Sequence, residues 1–228
     1  MSQDIGYPKF LRDTAVSRLD ENSWEAELTD DWSIGGVANG GYSMATAARA
    51  LSESLDHKDP LSITGHYLSR VEPGKALLEI EKLNIGKSVS TALLKFIQGG
   101  EERIRFTSCF TDFAKSKGDT LREVEAPEFP PIEECIVMPY KEGFTPVLEK
   151  QIDRKFTKTS DWWNEDRPRD RACLDAYYAW PGGENIDLFS VIFFLDTMSP
   201  PIFNRLGSRG WVSSLELTVH LKQLPSPG

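Results

Sequence analysis

The chain has 228 residues, 39% of them hydrophobic, with six Trp, twelve Phe and six Tyr, and a formal net charge of −9. That length holds one large domain or two small ones, with apolar surface enough for a sizeable core. The acidic balance argues against nucleic acid or an anionic membrane as the main partner. The three cysteines, Cys109, Cys135 and Cys173, include no Cys-x-x-Cys pair and no Cys/His spacing suited to zinc, so reduced thiols are expected, with no metal and no cofactor. The first residues, MSQDIGYPKF, contain no apolar leader, and the longest apolar run, Leu188 to Leu195, is far short of a membrane span. A cytoplasmic protein is expected.

Leu11 to Asp31 is polar with scattered apolar residues, within which Ser23 to Leu28 alternates as a strand does. Trp32-Ser-Ile then runs into the glycine-rich stretch Gly35-Gly36-Val-Ala-Asn39-Gly40-Gly41. This stretch opens into a helix beginning near Gly40 or Gly41. Its apolar positions Tyr42, Met44, Ala45, Ala47, Ala48, Leu51 and Leu55 cover most of the circumference, which predicts a helix wrapped by other structure. Two consecutive glycines at a helix start let the backbone approach a ligand, and the first helical turn offers unpaired N–H groups and partial positive charge. Asn39, Gly40 and Gly41 are therefore candidate donors to a thioester carbonyl or a developing oxyanion.

Four strands are predicted next, over Leu61 to Arg70, Ala76 to Ile85, Ser88 to Gln98 and Glu102 to Phe113, with Gly99-Gly100 as a hairpin turn. A segment rich in charge and proline reads as a linker. Beyond it, Leu148 to Thr157 and Cys173 to Trp180 are predicted strands, and Asp187 to Met198 is a strongly apolar helix interrupted by Pro200-Pro201. Ile202 to Leu206 is one further turn, and Trp211 to Leu224 is a last strand.

The two halves resemble each other. Ser62-Ile-Thr64-Gly-His66 follows the first helix and Glu216-Leu-Thr218-Val-His220 follows the second, with Thr and His aligned and the element order matched. A duplicated unit of helix and antiparallel sheet is expected, with residues 1–115 as the first copy, 116–145 as the linker and 146–228 as a second copy that lacks about three strands.

A buried helix wrapped by an antiparallel sheet describes the α+β hotdog fold, here in tandem. The sequence resembles the double-hotdog acyl-CoA thioesterase II (TesB-like) family. Gly40-Gly41-Tyr42, His66-Tyr67-Leu68 with Pro73-Gly74, Gly86-Lys87-Ser88 and Gln98-Gly99 carry the likeness in the first half. Asp196 with Pro200-Pro201, Leu206-Gly207 and Trp211 through Leu221 carry it in the second. The resemblance implies hydrolysis of acyl-CoA thioesters by a water activated by a carboxylate, with a hydroxyl and a Gln beside it. Aligned on the strand after the second helix, the carboxylate is Glu216, in the place of an Asp, with Thr218 beside it. Ser62 and Thr111 stand at the corresponding carboxylate and Gln positions of the first half. Tyr42, Lys87 and Ser88 are further candidate acyl-CoA contacts, Lys87 toward the CoA phosphates with solvated surface charge as the plainer reading, and homo-oligomers built through the hotdog sheets are expected.

Asp196 reads first as a helix-end carboxylate bonding locally, and secondly as a catalytic group. His66 and His220 share one repeat slot, which favours a packing role. No Gly-x-Ser-x-Gly elbow is present, so activated water is expected in place of a covalent serine intermediate. Two rival readings are a non-catalytic acyl-CoA-binding protein and an enoyl-CoA hydratase. The latter needs an Asp and a His on the loop into the helix, and Gly35 to Gly41 contains neither.

Overall fold

Alternating and wrapped apolar patterns resolve into one long sheet folded around a helix. The computed structural model describes residues 5–119, 121, 123–164, 171–208 and 210–226. A short helix α1 (Tyr7–Asp13) leads into strands β1 (Val16–Arg18) and β2 (Ser23–Leu28). The two-residue strands β3 (Ser33–Ile34) and β4 (Val37–Ala38) form a hairpin, and helix α2 (Gly40–Ser54) follows at once. The meander β5 (Asp59–Tyr67), β6 (Gly74–Ile85), β7 (Ser90–Gln98) and β8 (Glu101–Thr111) comes next. The second half contributes β9 (Asp153–Phe156), β10 (Ala176–Ala179), α3 (Leu188–Leu195), α4 (Ile202–Leu206) and β11 (Glu216–His220).

Seven strands form one antiparallel sheet in the order β1-β2-β6-β7-β8-β5-β11. The predicted hairpin at Gly99-Gly100 is present, both residues having the positive φ that such a turn requires. Helix α2 buries ten of its fifteen residues, because the sheet covers one side and α3 packs on another. Gly65 of β5 is the point of closest approach. A Cβ placed there would lie 2.6 Å from Phe106 and 3.2 Å from Met44 of α2.

One core runs through both halves. Phe10, Trp32, Trp180 and Phe193 form an aromatic cluster, with Trp32 at 5.2 Å from Phe193 edge-on and Trp180 stacked on Phe193 at 6.1 Å. Edge-to-face pairs of this kind add to the apolar burial. A smaller cluster joins Met138, Phe156, Trp162 and Phe203. The stretch read as a linker is attached to it: Ile136 makes an antiparallel bridge to Phe156, and the Tyr177 hydroxyl donates to the Pro130 carbonyl at 2.9 Å.

The repeat seen in the sequence has a direct geometric counterpart. In the β5–β11 register, Thr64 stands opposite Thr218, Ser62 opposite His220 and His66 opposite Glu216. Each residue therefore faces the counterpart of its partner in the other copy, as a local two-fold axis through the Thr64–Thr218 pair demands. The two threonine Oγ1 atoms are 3.0 Å apart on that axis.

Several element boundaries differ from those expected. Helix α1 was not expected: it starts at Tyr7, ahead of the stretch read as polar, and it is short, with Phe10 in the core and Tyr7 packed against it. Val147–Lys150 is a 3₁₀ turn, and only Asp153–Phe156 of the predicted strand pairs with β10. The last strand is limited to Glu216–His220, the residues that pair with β5.

Replacing Gly65 by Ala forces a Cβ between Phe106 and Met44, and overpacking of this kind costs about 1–3 kcal/mol. G65A is expected to lower the urea midpoint by a corresponding amount with an unchanged m-value. An unaltered midpoint would mean that the helix and sheet are not in the contact described.

Candidate active site

The glycine-rich stretch divides into two parts with separate jobs. Gly35 and Gly36, with φ of 59° and 79°, form the turn of the β3–β4 hairpin, a conformation open to glycine. Gly40 and Gly41 belong to the first turn of α2. Asn39 is its N-cap, and its side-chain Oδ1 accepts from the Tyr42 N–H at 3.0 Å.

The carboxylate that meets this helix start is Asp196, from the C-terminal end of α3. The two helices pack antiparallel. Gly41 N–H donates to Asp196 Oδ2 at 2.9 Å, and Asn39 Nδ2 donates to the same oxygen at 3.2 Å and to the Asp196 main-chain carbonyl at 2.8 Å. Ser214 Oγ, just before β11, donates to Oδ1 at 3.0 Å. From β5, the Tyr67 hydroxyl donates to the Gly40 carbonyl at 2.9 Å. At the opposite ends of the helices, Asp187 caps α3 and pairs with Arg49 of α2 at 3.6 Å.

Both glycines are required by this junction. A Cβ at Gly40 would lie 2.7 Å from Asp196 Oδ2 and 2.9 Å from the Tyr67 ring. One at Gly41 would lie 2.7 Å from the Phe193 carbonyl and 2.9 Å from Asp196 Cβ. The close approach expected of the two glycines is thus made by the Asp196 carboxylate.

Burial pushes the Asp196 carboxyl above the ordinary carboxylate range, against the opposing effect of hydrogen bonds from Ser214, Gly41, Gly40 and Asn39. The positive end of the α2 dipole acts in the same direction as those bonds. Tyr67 is also raised, first by burial and then by the nearby Asp196 charge. A partly buried carboxyl that is both hydrogen-bonded and raised in this way is a candidate for proton transfer.

Of the residues expected from sequence, Asn39, Gly40, Gly41 and Asp196 come together here. Glu216 and Thr218 do not join them. The strand alternation that buries Val219 turns both to the opposite face, where Glu216 is 58% exposed and lies 3.7 Å from His66 Nδ1. His220 is exposed on that same face, so the packing role expected for the two histidines is not what their positions show. Tyr42 is fully buried, and its hydroxyl donates to the Asp13 carbonyl at 2.7 Å, so it serves the core and not a ligand.

Lys87 and Ser88 lie in the β6–β7 turn. The Lys87 carbonyl contacts His57, which follows the C-terminal end of α2. Fifteen helical residues rise about 22 Å, so these two residues sit at the far end of the helix from Gly40. Ser214 and Tyr67 were not singled out as site residues. Tyr67 lay within a motif of the resemblance, while a hydroxyl two residues ahead of Glu216 gives no signal in a single sequence.

A helix wrapped by a long antiparallel sheet, with a pseudo-two-fold partner supplying the acid, defines a double-hotdog protein. Solved structures agree. A candidate thioesterase II from Thermobifida fusca YX superimposes with a TM-score of 0.85 at 25% identity, over 96% of this chain and 82% of that one. A hot dog fold protein from Alicyclobacillus acidocaldarius gives 0.79 at 18% identity, over 94% and 79%. The tesB protein of Mycobacterium avium subs paratuberculosis gives 0.75 at 16% identity, over 96% and 81%.

Residues 28–111 match the acyl-CoA thioesterase N-terminal domain, and residues 132–228 match the acyl-CoA thioesterase C-terminal domain. The chain belongs to the acyl-CoA thioesterase family. A curated relative, the thioesterase-like protein TwmA of Talaromyces wortmannii, is 34% identical over 94 residues. These are 40% of this chain, and the chain spans about a quarter (27%) of that relative's length. Among the described residues no helix is long and apolar enough to cross a membrane.

The raised Asp196 carboxyl has a measurable consequence for stability. Its folded-state pKa lies above the unfolded value, so the folded state binds the proton more tightly. The stabilisation is full below the unfolded carboxylate value and is lost as pH rises through the higher folded value. The stability of wild type relative to D196N is expected to decline across that window in urea titrations at stepped pH. A difference that grows with pH would reverse the sign and refute the assignment.

Proposed function

We propose that this chain hydrolyses acyl-CoA thioesters with Asp196 as the general base toward water. The observation that carries the reading is the partly buried Asp196 carboxylate, fixed between Asn39 and Gly41 at the start of α2 and Ser214 just ahead of β11. Water held against the carboxylate gives its proton to Asp196 as its oxygen attacks the thioester carbon. The tetrahedral intermediate collapses with cleavage of the C–S bond, and the proton on Asp196 passes to the departing CoA sulfur. Free acid and CoA leave, and the carboxylate is restored.

In this reading the helix-start N–H groups hold the base in place, and Ser214 fixes the rotamer of the carboxylate through Oδ1. Glu216, the carboxylate expected from alignment of the strands, is two residues beyond Ser214 and on the exposed face. The same reading takes residues 1–115 and 146–228 as the two hotdogs and 116–145 as their connection. It includes a homo-oligomer built through the sheets and a cytoplasmic location, the latter supported by three unpaired cysteines.

Release of free CoA thiol from a series of acyl-CoAs tests the assignment. D196N is expected to lower kcat by about 10²–10⁴-fold, the range for loss of a general base, with S214A intermediate. E216Q separates the two carboxylates. Loss in D196N with activity retained in E216Q carries the reading, and loss confined to E216Q overturns it. Thermal stabilisation by acyl-CoA without turnover would select the non-catalytic binding protein.

A further inference from the structure

Behind the Asp196 site lies a buried arginine that the proton transfer above does not use. Arg154 of β9 is 4% exposed, and its guanidinium lies 5.2 Å from the ring centres of both Phe156 and Tyr178. Its Nη1 donates to the Thr197 carbonyl at 2.7 Å and to the Tyr178 hydroxyl at 3.0 Å, and Nη2 pairs with Glu149. Burying a guanidinium is costly unless charge and hydrogen bonds compensate. Hydrophobic side chains of similar volume would fill the same space, so packing alone does not account for an arginine.

What distinguishes the position is the carbonyl it holds. Thr197 follows Asp196 directly, and α3 ends there. The Thr197 N–H and hydroxyl both return to the Phe194 carbonyl, at 3.2 and 2.9 Å, and Asn39 takes the Asp196 carbonyl. Arg154 satisfies the next carbonyl, a helix-end acceptor that would otherwise be buried without a partner. A cation at a helix C-terminus is also favoured by the dipole.

We infer that Arg154 is a positioning residue for Asp196, locking the end of α3 through the Thr197 carbonyl so that the carboxylate meets Gly41 and Ser214. This rests on the reading of Asp196 as the base. The titratable groups around the carboxylate are Tyr67 from β5 and, behind Thr197, Arg154, Tyr178 and Glu149. Without the lock the carboxylate spends less time in its hydrogen bonds from Gly41, Asn39 and Ser214. Since those bonds favour the ionised form, their loss moves its titration upward.

The experiment uses the whole chain with ¹³C-carboxyl-labelled aspartate, the Asp196 signal being assigned by its absence in D196N. The double variant E149Q/R154M removes the ion pair without stranding Glu149, and R154K keeps the charge while losing the guanidinium fork. In E149Q/R154M the Asp196 midpoint is expected to rise by roughly half a pH unit or more. The acid limb of the pH–rate profile should rise with it, and kcat should fall at least about tenfold while KM stays within about twofold. R154K is expected to shift both in the same direction by less, and it carries the test alone if the double variant does not fold. An unchanged Asp196 midpoint in a folded variant overturns the inference. Should wild type lack hydrolysis, the reading of the base fails while the titration still decides the role of Arg154.

Discussion

The bond from Gly41 N–H to the Asp196 carboxylate is the constraint around which the molecule is arranged. It joins the first turn of one buried helix to the last turn of another, across 155 residues of chain. To reach 2.9 Å the backbone at positions 40 and 41 has to be bare, the two helices have to run antiparallel, and β11 has to bring Ser214 alongside. A carboxylate here closes a helix N-terminus that the sheet shields from water. The usual solution is a local capping side chain, and Asn39 already fills that role toward Tyr42. The second acceptor, taken from the other half, leaves a carboxylate in a partly buried position with its geometry set by three donors.

The internal repeat explains why such an encounter is available. A two-fold axis through Thr64 and Thr218 places the start of each helix near the ninth residue after the start of the other. At one end this gives Asn39, Gly40 and Gly41 facing Asp196. At the other, Asp187 begins α3, and Ala48 and Arg49 hold the corresponding places on α2. The pair there is Arg49 with Asp187, backed by a hydrogen bond from the Tyr7 hydroxyl at 3.1 Å. The halves have thus diverged in complementary directions: one end is an ion pair between the helices, and the other presents a carboxylate with its hydrogen bonds from Gly41, Asn39 and Ser214.

Much of the fold was legible because it depends on periodicity. The wrapped pattern of α2, the long alternating strands β6 to β8 and the Gly99-Gly100 turn each follow from residues close in sequence. The Thr/His repeat has its counterpart in the β5–β11 register, although no pairing of those two strands was expected from it. The site was legible only in part. Gly40 and Gly41 stand out because consecutive glycines are costly in a helix, about 1 kcal/mol each, and Asp196 because it interrupts an apolar run. Which of the two carboxylates meets the glycines is decided by the face of a strand and by the direction of α3. Neither can be read from spacing, and Glu216 was preferred on a strand alignment that the alternation of β11 turns outward. Ser214 and Arg154 gave no local signal, since each matters only through an atom brought to it from elsewhere in the chain.

The separation of Asn39 and Gly41 from Asp196 bears on how the protein is made. During synthesis at roughly 5–20 residues per second, about 7–30 s pass between completion of the α2 sequence and addition of Asp196 to the chain. In that interval the helix start has donors without its acceptor, and the aromatic cluster lacks Trp180 and Phe193, so the first half presents an incomplete core to its surroundings. The core of the first half is therefore completed only once Trp180, Phe193 and Asp196 have emerged.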